Sequence, residues 1–256
     1  MRITAIMNLK GGVAKTTTVV NMAAILAAKG SKVLVIDGDA QCNTTEFLTE
    51  EHCLAYRTLA DLLGRDKAGV MELQPTKLEN VTLIPAAEDL MGLDISKAEG
   101  GKLDMDCLRF RRRWWKELGI DYVLIDCPPA FSAAAAAALL AADSVIIPMK
   151  LDAFSIRGMS VLFKQIESMR EINPELTIDG ILPTMWYRSQ ETEQIENELG
   201  RAGLPIFHHI RLSKTVDKMT IMQKPLQEMS KNSGALKDYR IFVDQYIAKE
   251  APWNVI

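Results

Sequence analysis

The chain has no run of 18 apolar residues, so no membrane-spanning helix is expected. It enters a strand pattern at once, without the charged, apolar and small-residue regions of a signal peptide. Its four cysteines, Cys42, Cys53, Cys107 and Cys127, form no C-x-x-C pair. That argues against a zinc site, an iron–sulfur cluster or a disulfide framework. Buried free thiols in a cytoplasmic protein are the expectation. No Pro/Ser-rich linker, repeat or tail breaks the sequence. The 256 residues, 48% hydrophobic and 25% charged, are therefore expected to form one domain over 1–256. The formal net charge of −3 points to no particular partner.

What is present is a regular alternation. Short apolar runs at 2–7, 32–37, 81–84, 121–126, 144–148 and 177–182 read as strands, with a possible short one near 205–210. Helical patterns lie near 16–28, 56–64, 103–118, 132–142, 155–171, 190–200 and 233–249. The spacing predicts an α/β fold with a doubly wound, mostly parallel sheet flanked by helices. Ligands bind such sheets at the C-terminal ends of the strands. The alanine run at 133–138 reads as a close-packing helix with no chemistry of its own.

The most informative stretch joins the first strand to the first helix. Residues 8–18 read Asn-Leu-Lys-Gly-Gly-Val-Ala-Lys-Thr-Thr-Thr. Free N–H groups and the dipole at a helix N-terminus favour an anion there. Gly11 and Gly12 let the backbone approach phosphate oxygens. Lys15 can reach the β- and γ-phosphates, and the Thr16 hydroxyl is placed for Mg²⁺. The pattern is that of a P-loop spanning Lys10, Gly11, Gly12, Val13, Ala14, Lys15, Thr16 and Thr17, with Lys10 as an extra lysine. Ala14 stands where the pattern asks for glycine. If the backbone there needs positive φ, the methyl group costs on the order of 1 kcal/mol.

Three acids fall at strand ends. Asp126 follows Tyr-Val-Leu-Ile and precedes Cys-Pro-Pro, where a P-loop fold places the acid that acts on Mg²⁺ through its water shell. Asp37 and Asp39 end the second strand. Two carboxylates near a triphosphate can assist a metal and orient an attacking water. Any one of them alone would also serve as a turn acid or helix cap; together, after a P-loop, they favour phosphate hydrolysis.

At this point the sequence resembles the ParA/Soj group of the deviant Walker A (MinD/ParA) P-loop ATPases. The group's KGGVGKTT appears as KGGVAKTT at Lys10–Thr17, its D-x-D-P-Q-G-N as Asp-Gly-Asp-Ala-Gln-Cys-Asn at Asp37–Asn43, and its D-T-P-P as Asp-Cys-Pro-Pro at Asp126–Pro129. Phe154-Ser-Ile-Arg-Gly158, Ile210-Arg-Leu-Ser213, Lys224-Pro225 and Gly234-Ala235 match further landmarks. The resemblance implies an ATP- and Mg²⁺-dependent homodimer. Lys10 would reach the partner subunit's nucleotide and Lys15 its own. Thr16 and Asp126 would serve Mg²⁺ with support from Asp37, and Asp39 would position the hydrolytic water. It also implies non-specific DNA binding by the ATP-bound dimer, a ParB-like centromere-binding activator that stimulates hydrolysis, and a cytoplasmic, nucleoid-associated location. Arg211 matches the position most associated with DNA contact.

Charge adds to this. Residues 201–249 hold nine Lys/Arg and four Asp/Glu, an excess of five positive charges on an acidic protein. Such a basic end suits a phosphate backbone, and a solvated helix face is the other reading. Lys214, Lys218 and Lys237 are further DNA-contact candidates on charge and position. Residues 109–116, Arg-Phe-Arg-Arg-Arg-Trp-Trp-Lys, mix bases with aromatics. We read them as a solvated basic face with Trp114 or Trp115 buried, ahead of a nucleic-acid contact.

The departures from the pattern are Ala14, Ala40, Cys42, and Phe207-His208-His209 where the resemblance puts an adenine pocket. The alternatives are a MinD-like membrane-associated ATPase and a metabolite kinase or ligase on the same P-loop. The first needs a C-terminal amphipathic helix, which Pro252 would stop, so no stable membrane association is expected. The second needs a substrate pocket for which no motif is visible.

Overall fold

The computed structural model describes residues 1–50, 56–64, 73–93 and 102–249, and of residues 153, 154, 156 and 157 the backbone alone. Cys53 and Pro252, both read above, lie outside the described residues.

Seven strands form one sheet in the order β3-β4-β2-β5-β1-β6-β7. In chain order they are β1 (Arg2–Ile6), β2 (Val33–Asp37), β3 (Gln74–Pro75), β4 (Val81–Ile84), β5 (Tyr122–Asp126), β6 (Ser144–Lys150) and β7 (Thr177–Thr184). All neighbours run parallel except β3, which pairs antiparallel with β4 at the edge. Pro75 is tolerated there because an edge strand has N–H positions outside the ladder. The central strands are buried on both faces, which explains their nearly unbroken apolar runs.

Among the described residues, the helices with both ends defined are α1 (Lys15–Ala28), α2 (Asn43–Leu48), α3 (Leu59–Leu63), α4 (Arg112–Glu117), α5 (Ala133–Ala141), α6 (Ala153–Arg170), α7 (Gln190–Arg201), α8 (Lys214–Met222), α9 (Leu226–Met229) and α10 (Gly234–Ala248). One face of the sheet packs on α1 and α10, with Tyr239, Phe242 and Tyr246 fully buried. The other packs on α3, α5 and Trp115. The alanines of α5 let that helix sit close to the sheet, as expected. Helix α1 is apolar round nearly its whole circumference because both the sheet and α10 cover it. It ends at Lys29 with Gly30 at φ 92°, the left-handed stop that glycine permits.

Two expectations change. The helical pattern at 103–118 yields a 3-10 turn at Arg109–Arg111 and the short α4. Before it the chain turns at Asp104, whose carbonyl accepts from the Cys107 N–H. The possible strand near 205–210 is two isolated bridges, Ile181 to Ile206 and Trp186 to Arg211. Of the basic–aromatic stretch, Trp115 is buried in the core. Arg109, Arg112 and Arg113 pair with Asp106, Asp143 and Glu117. It is a salt-bridged surface.

Register places the chemistry. β5 lies between β1 and β2, with Ile6 opposite Asp126 and Asp37 opposite Asp126. The loop after β1, the acids after β2 and Asp126 therefore meet at one edge of three adjacent strands.

Candidate active site

The loop from β1 closes on the N-terminus of α1. Gly12 has φ 69° and Ala14 φ 67°, so the alanine does occupy the left-handed region, as the N-cap of α1 with no side-chain cap bond. Its strain is of the order of 1 kcal/mol. Two side chains fix the loop from outside. Asn8 receives the Lys10 N–H and donates to the Pro148 carbonyl, while Thr184 donates to the Val13 carbonyl at 3.1 Å. The loop is thereby tied to β6 and β7.

The two lysines are treated differently. Lys15 is buried, and its Nζ donates to the Lys10 carbonyl across the loop. Burial pulls its pKa down, against the opposing pull of Asp126 and Asp39. Lys10 points away from its own loop. Its Nζ lies 2.9 Å from Asp152 Oδ2 and 3.1 Å from Ser155 Oγ, at the N-cap of α6.

Asp126 is buried, and its Oδ2 accepts from Thr16 Oγ1 and Thr44 Oγ1, both at 2.6 Å. Its Oδ1 is buried with no hydrogen-bond partner. Asp37 is fully buried; its Oδ2 accepts from the Thr45 N–H and Oγ1, its Oδ1 from the Asp39 N–H. Burial raises both carboxyls, and the charge of Asp126 raises Asp37 further. Asp39 is half-buried and bonds its own loop through the Gln41 N–H. An orphaned carboxylate oxygen beside a threonine hydroxyl suits a hard divalent cation, since such ions take oxygen ligands. The arrangement fits Mg²⁺ at Thr16 and Asp126. Asp37 has three donors of its own, which tie it to the Asp39 loop and to α2.

Gly11, Gly12, Ala14, Lys15, Thr16, Thr17 and Asp39 line a cavity of about 530 Å³. The far wall comes from Thr184, Met185, Ile210–Ser213 and Val216. His208 and His209 do not line it. His209 stacks on Trp186 at 3.7 Å and His208 lies 3.5 Å from Asp238, while Phe207 is core against Phe242. On this side the cavity is walled instead by the end of β7 and by the 210–213 loop.

Of the DNA-contact candidates, Arg211 lies on that loop and pairs with Asp238 at 2.6 Å. Lys214 and Lys218 are exposed one turn apart on α8, and Lys237 is exposed in the first turn of α10. Sequence reasoning missed Thr44, Thr45, Asp152, Thr184 and Asp238. The one readable signal was Asp152 followed three residues later by Ser155, an N-cap pattern.

The strand–loop–helix cradle, its buried lysine and the metal-fitting Asp126 define a P-loop nucleoside triphosphatase. Comparison with known proteins narrows this. A family model described as an AAA domain matches residues 1–178. The chromosome partitioning protein ParA of Caulobacter vibrioides is 34% identical over 207 residues, covering 78% of this chain and 75% of its own. The sporulation initiation inhibitor protein Soj of Bacillus subtilis is 35% identical over 185 residues, covering 72% of each. Among solved structures, the ATP complex of a Cyanothece McdA variant aligns with TM-score 0.81 and 25% identity, over 100% of this chain and 99% of that one. The chain belongs to the ParA/Soj family of partitioning ATPases, within the MinD/ParA class.

Proposed function

We propose that this protein is a partitioning ATPase whose ATP-bound homodimer binds DNA without sequence preference and releases it when a ParB-like centromere-binding activator stimulates hydrolysis. The observation that carries the reading is the placing of the two lysines. Lys15 is buried beside the phosphate cradle, whereas Lys10 is directed out of it toward Asp152. A lysine displaced from its own site is suited to serve the partner's nucleotide. The ATP in the Cyanothece McdA complex, together with the cavity at the P-loop, supports ATP as the substrate.

In this reading the backbone N–H groups at Gly11–Thr17 and the α1 dipole hold the phosphates. Lys15 neutralises charge on the β- and γ-phosphates, and Lys10 does so from across the dimer. Thr16 and the free oxygen of Asp126 would hold Mg²⁺, which would offset the charge of the phosphates. Asp39 orients the attacking water. Arg211, Lys214, Lys218 and Lys237 contact DNA phosphates, giving sequence-independent, salt-sensitive binding. Two copies in a dimer double those contacts, so ATP-driven dimerisation becomes DNA affinity. Among the described residues no helix is long and apolar enough to cross a membrane; a cytoplasmic, nucleoid-associated location follows from DNA binding itself.

The test is duplex-DNA binding with ATP, with ADP and without nucleotide, at two salt concentrations. The expected result is ATP-dependent binding that weakens steeply with salt. Nucleotide-loaded, folded protein that ignores DNA at low salt would falsify the reading.

A further inference from the structure

On the basic end of the molecule, Arg211 is held by three hydrogen bonds to one acid. Its backbone N–H, its Nε and its Nη2 all donate to Asp238, at 3.0, 2.6 and 2.8 Å. Asp238 lies on α10 and is itself only 1% exposed, while the arginine side chain is 54% exposed. His208 is the one other group that meets this carboxylate, at 3.5 Å, among the described residues. The guanidinium also lies over Gly234, the first residue of α10. A methyl group there would come within 2.9–3.0 Å of Arg211 Cδ, Nε and Nη1. Three hydrogen bonds and the bare backbone at Gly234 thus fix one edge of the guanidinium. Nη1 has no protein partner among the described residues.

An exposed arginine normally samples many rotamers, and ordering it on binding costs side-chain entropy. Here that ordering is already done by the fold, and the donors left over are the two N–H of Nη1 and the second N–H of Nη2. A phosphodiester oxygen is the acceptor that a guanidinium edge of this kind takes.

We propose that Asp238 is a positioning residue for DNA binding: it holds Arg211 over Gly234 so that Nη1 meets a backbone phosphate. The proposal rests on the reading that the ATP-bound protein binds DNA through Arg211. Asp238 itself touches no DNA and acts only through the arginine.

Removing a buried acid also removes a negative charge, which by itself would favour DNA. The two effects separate in a double-mutant cycle. Duplex-DNA affinity of ATP-loaded wild type, Arg211→Ala, Asp238→Asn and the double variant is measured across a salt series, with thermal melts as a folding control. Arg211→Ala is expected to lose about eightfold per protomer near 0.1 M salt, the counterion-release value of one phosphate contact, and to reduce the salt slope by about 0.9. Asp238→Asn in wild type is expected to weaken binding and reduce the slope similarly. In the Arg211→Ala background it should leave affinity equal or raised. Gly234→Ala is the second probe. It keeps every charge yet pushes the guanidinium aside, so it should weaken DNA binding while the melts show the protein still folded at the assay temperature. If Arg211→Ala binds as wild type does, the DNA reading of Arg211 fails. If Arg211→Ala is weak but Asp238→Asn has the same effect in both backgrounds, or Gly234→Ala binds normally, the positioning role is overturned.

Discussion

Lys10 Nζ and Asp152 Oδ2 lie 2.9 Å apart within one chain. The pair is part-exposed on both sides, 38% and 27%, so it is worth only about 0.2–1 kcal/mol. That is small against the gain of placing a lysine on a triphosphate. In the proposed dimer the contact would hold Lys10 while the chain is alone and yield to the partner's nucleotide. Asp152→Asn keeps the N-cap of α6, because asparagine caps as well as aspartate, and removes the charge. It should strengthen ATP-dependent dimerisation by up to about fivefold per protomer at 1 kcal/mol, the two factors multiplying in the dimer constant. Sedimentation equilibrium with ATP measures this, and an unchanged dimer constant would show that the pair does not restrain Lys10.

Ala14 gives a prediction in which two effects oppose. Its φ of 67° costs about 1 kcal/mol that glycine would not incur. Glycine, however, adds unfolded-state freedom worth roughly 0.4–1 kcal/mol. Ala14→Gly should therefore change stability by less than about 0.5 kcal/mol in urea melts. Ala14→Val carries a β-branched group into the same region and should lose more than about 1 kcal/mol. If Ala14→Gly stabilises by well over 1 kcal/mol, the loop is strained by more than its backbone angle explains.

The sheet was legible because its strands are buried on both faces and read as short apolar runs; six of the seven were located that way. β3 was not, since two residues with a proline carry no period. The P-loop was legible because phosphate binding demands fixed residue types at fixed offsets along one segment. Asp126 and Asp37 were legible by their places at strand ends. Their partners were not: Thr44 and Thr45 are 82 and 8 residues from the acids they serve, and α2, with only six residues, is too short to show an amphipathic pattern. The resemblance put Phe207-His208-His209 near the base, and these side chains do not line the cavity at the P-loop. A segment's position along the chain does not say which side of it faces the cavity, and here the 207–209 side chains turn to the core, Trp186 and Asp238.

Thr45 tests whether Asp37 acts as an organiser. Its Oγ1 donates to Asp37 at 2.7 Å and accepts from the Ala86 N–H at 3.0 Å. Thr45→Val preserves shape and removes both bonds. It leaves one buried N–H unpaired and takes one donor from a buried carboxylate, which should cost about 2–3 kcal/mol. Thr45→Ser keeps the hydroxyl and should recover most of that. Denaturant melts of the two variants provide the comparison; equal stabilities would mean the hydroxyl network adds nothing.

Asp238 sets an acid limit on the 210–213 loop. Burial pulls its pKa upward, but the hydrogen bonds and charge of Arg211 outweigh this and hold it below the usual carboxylate value. A carboxyl with a depressed folded pKa contributes stability that is fully present above its unfolded pKa, about 3.9. That contribution is lost as pH falls through the lower folded value. Wild type should therefore exceed Asp238→Asn in stability by a constant margin near pH 5, and the margin should shrink progressively below about pH 4. Arg211 stays charged throughout this range, so the loss reports the carboxylate alone. Urea melts of both proteins between about pH 5 and pH 2.5 read the margin directly. A margin that stays level down to the acid end would mean the carboxylate's charge contributes nothing to holding Arg211.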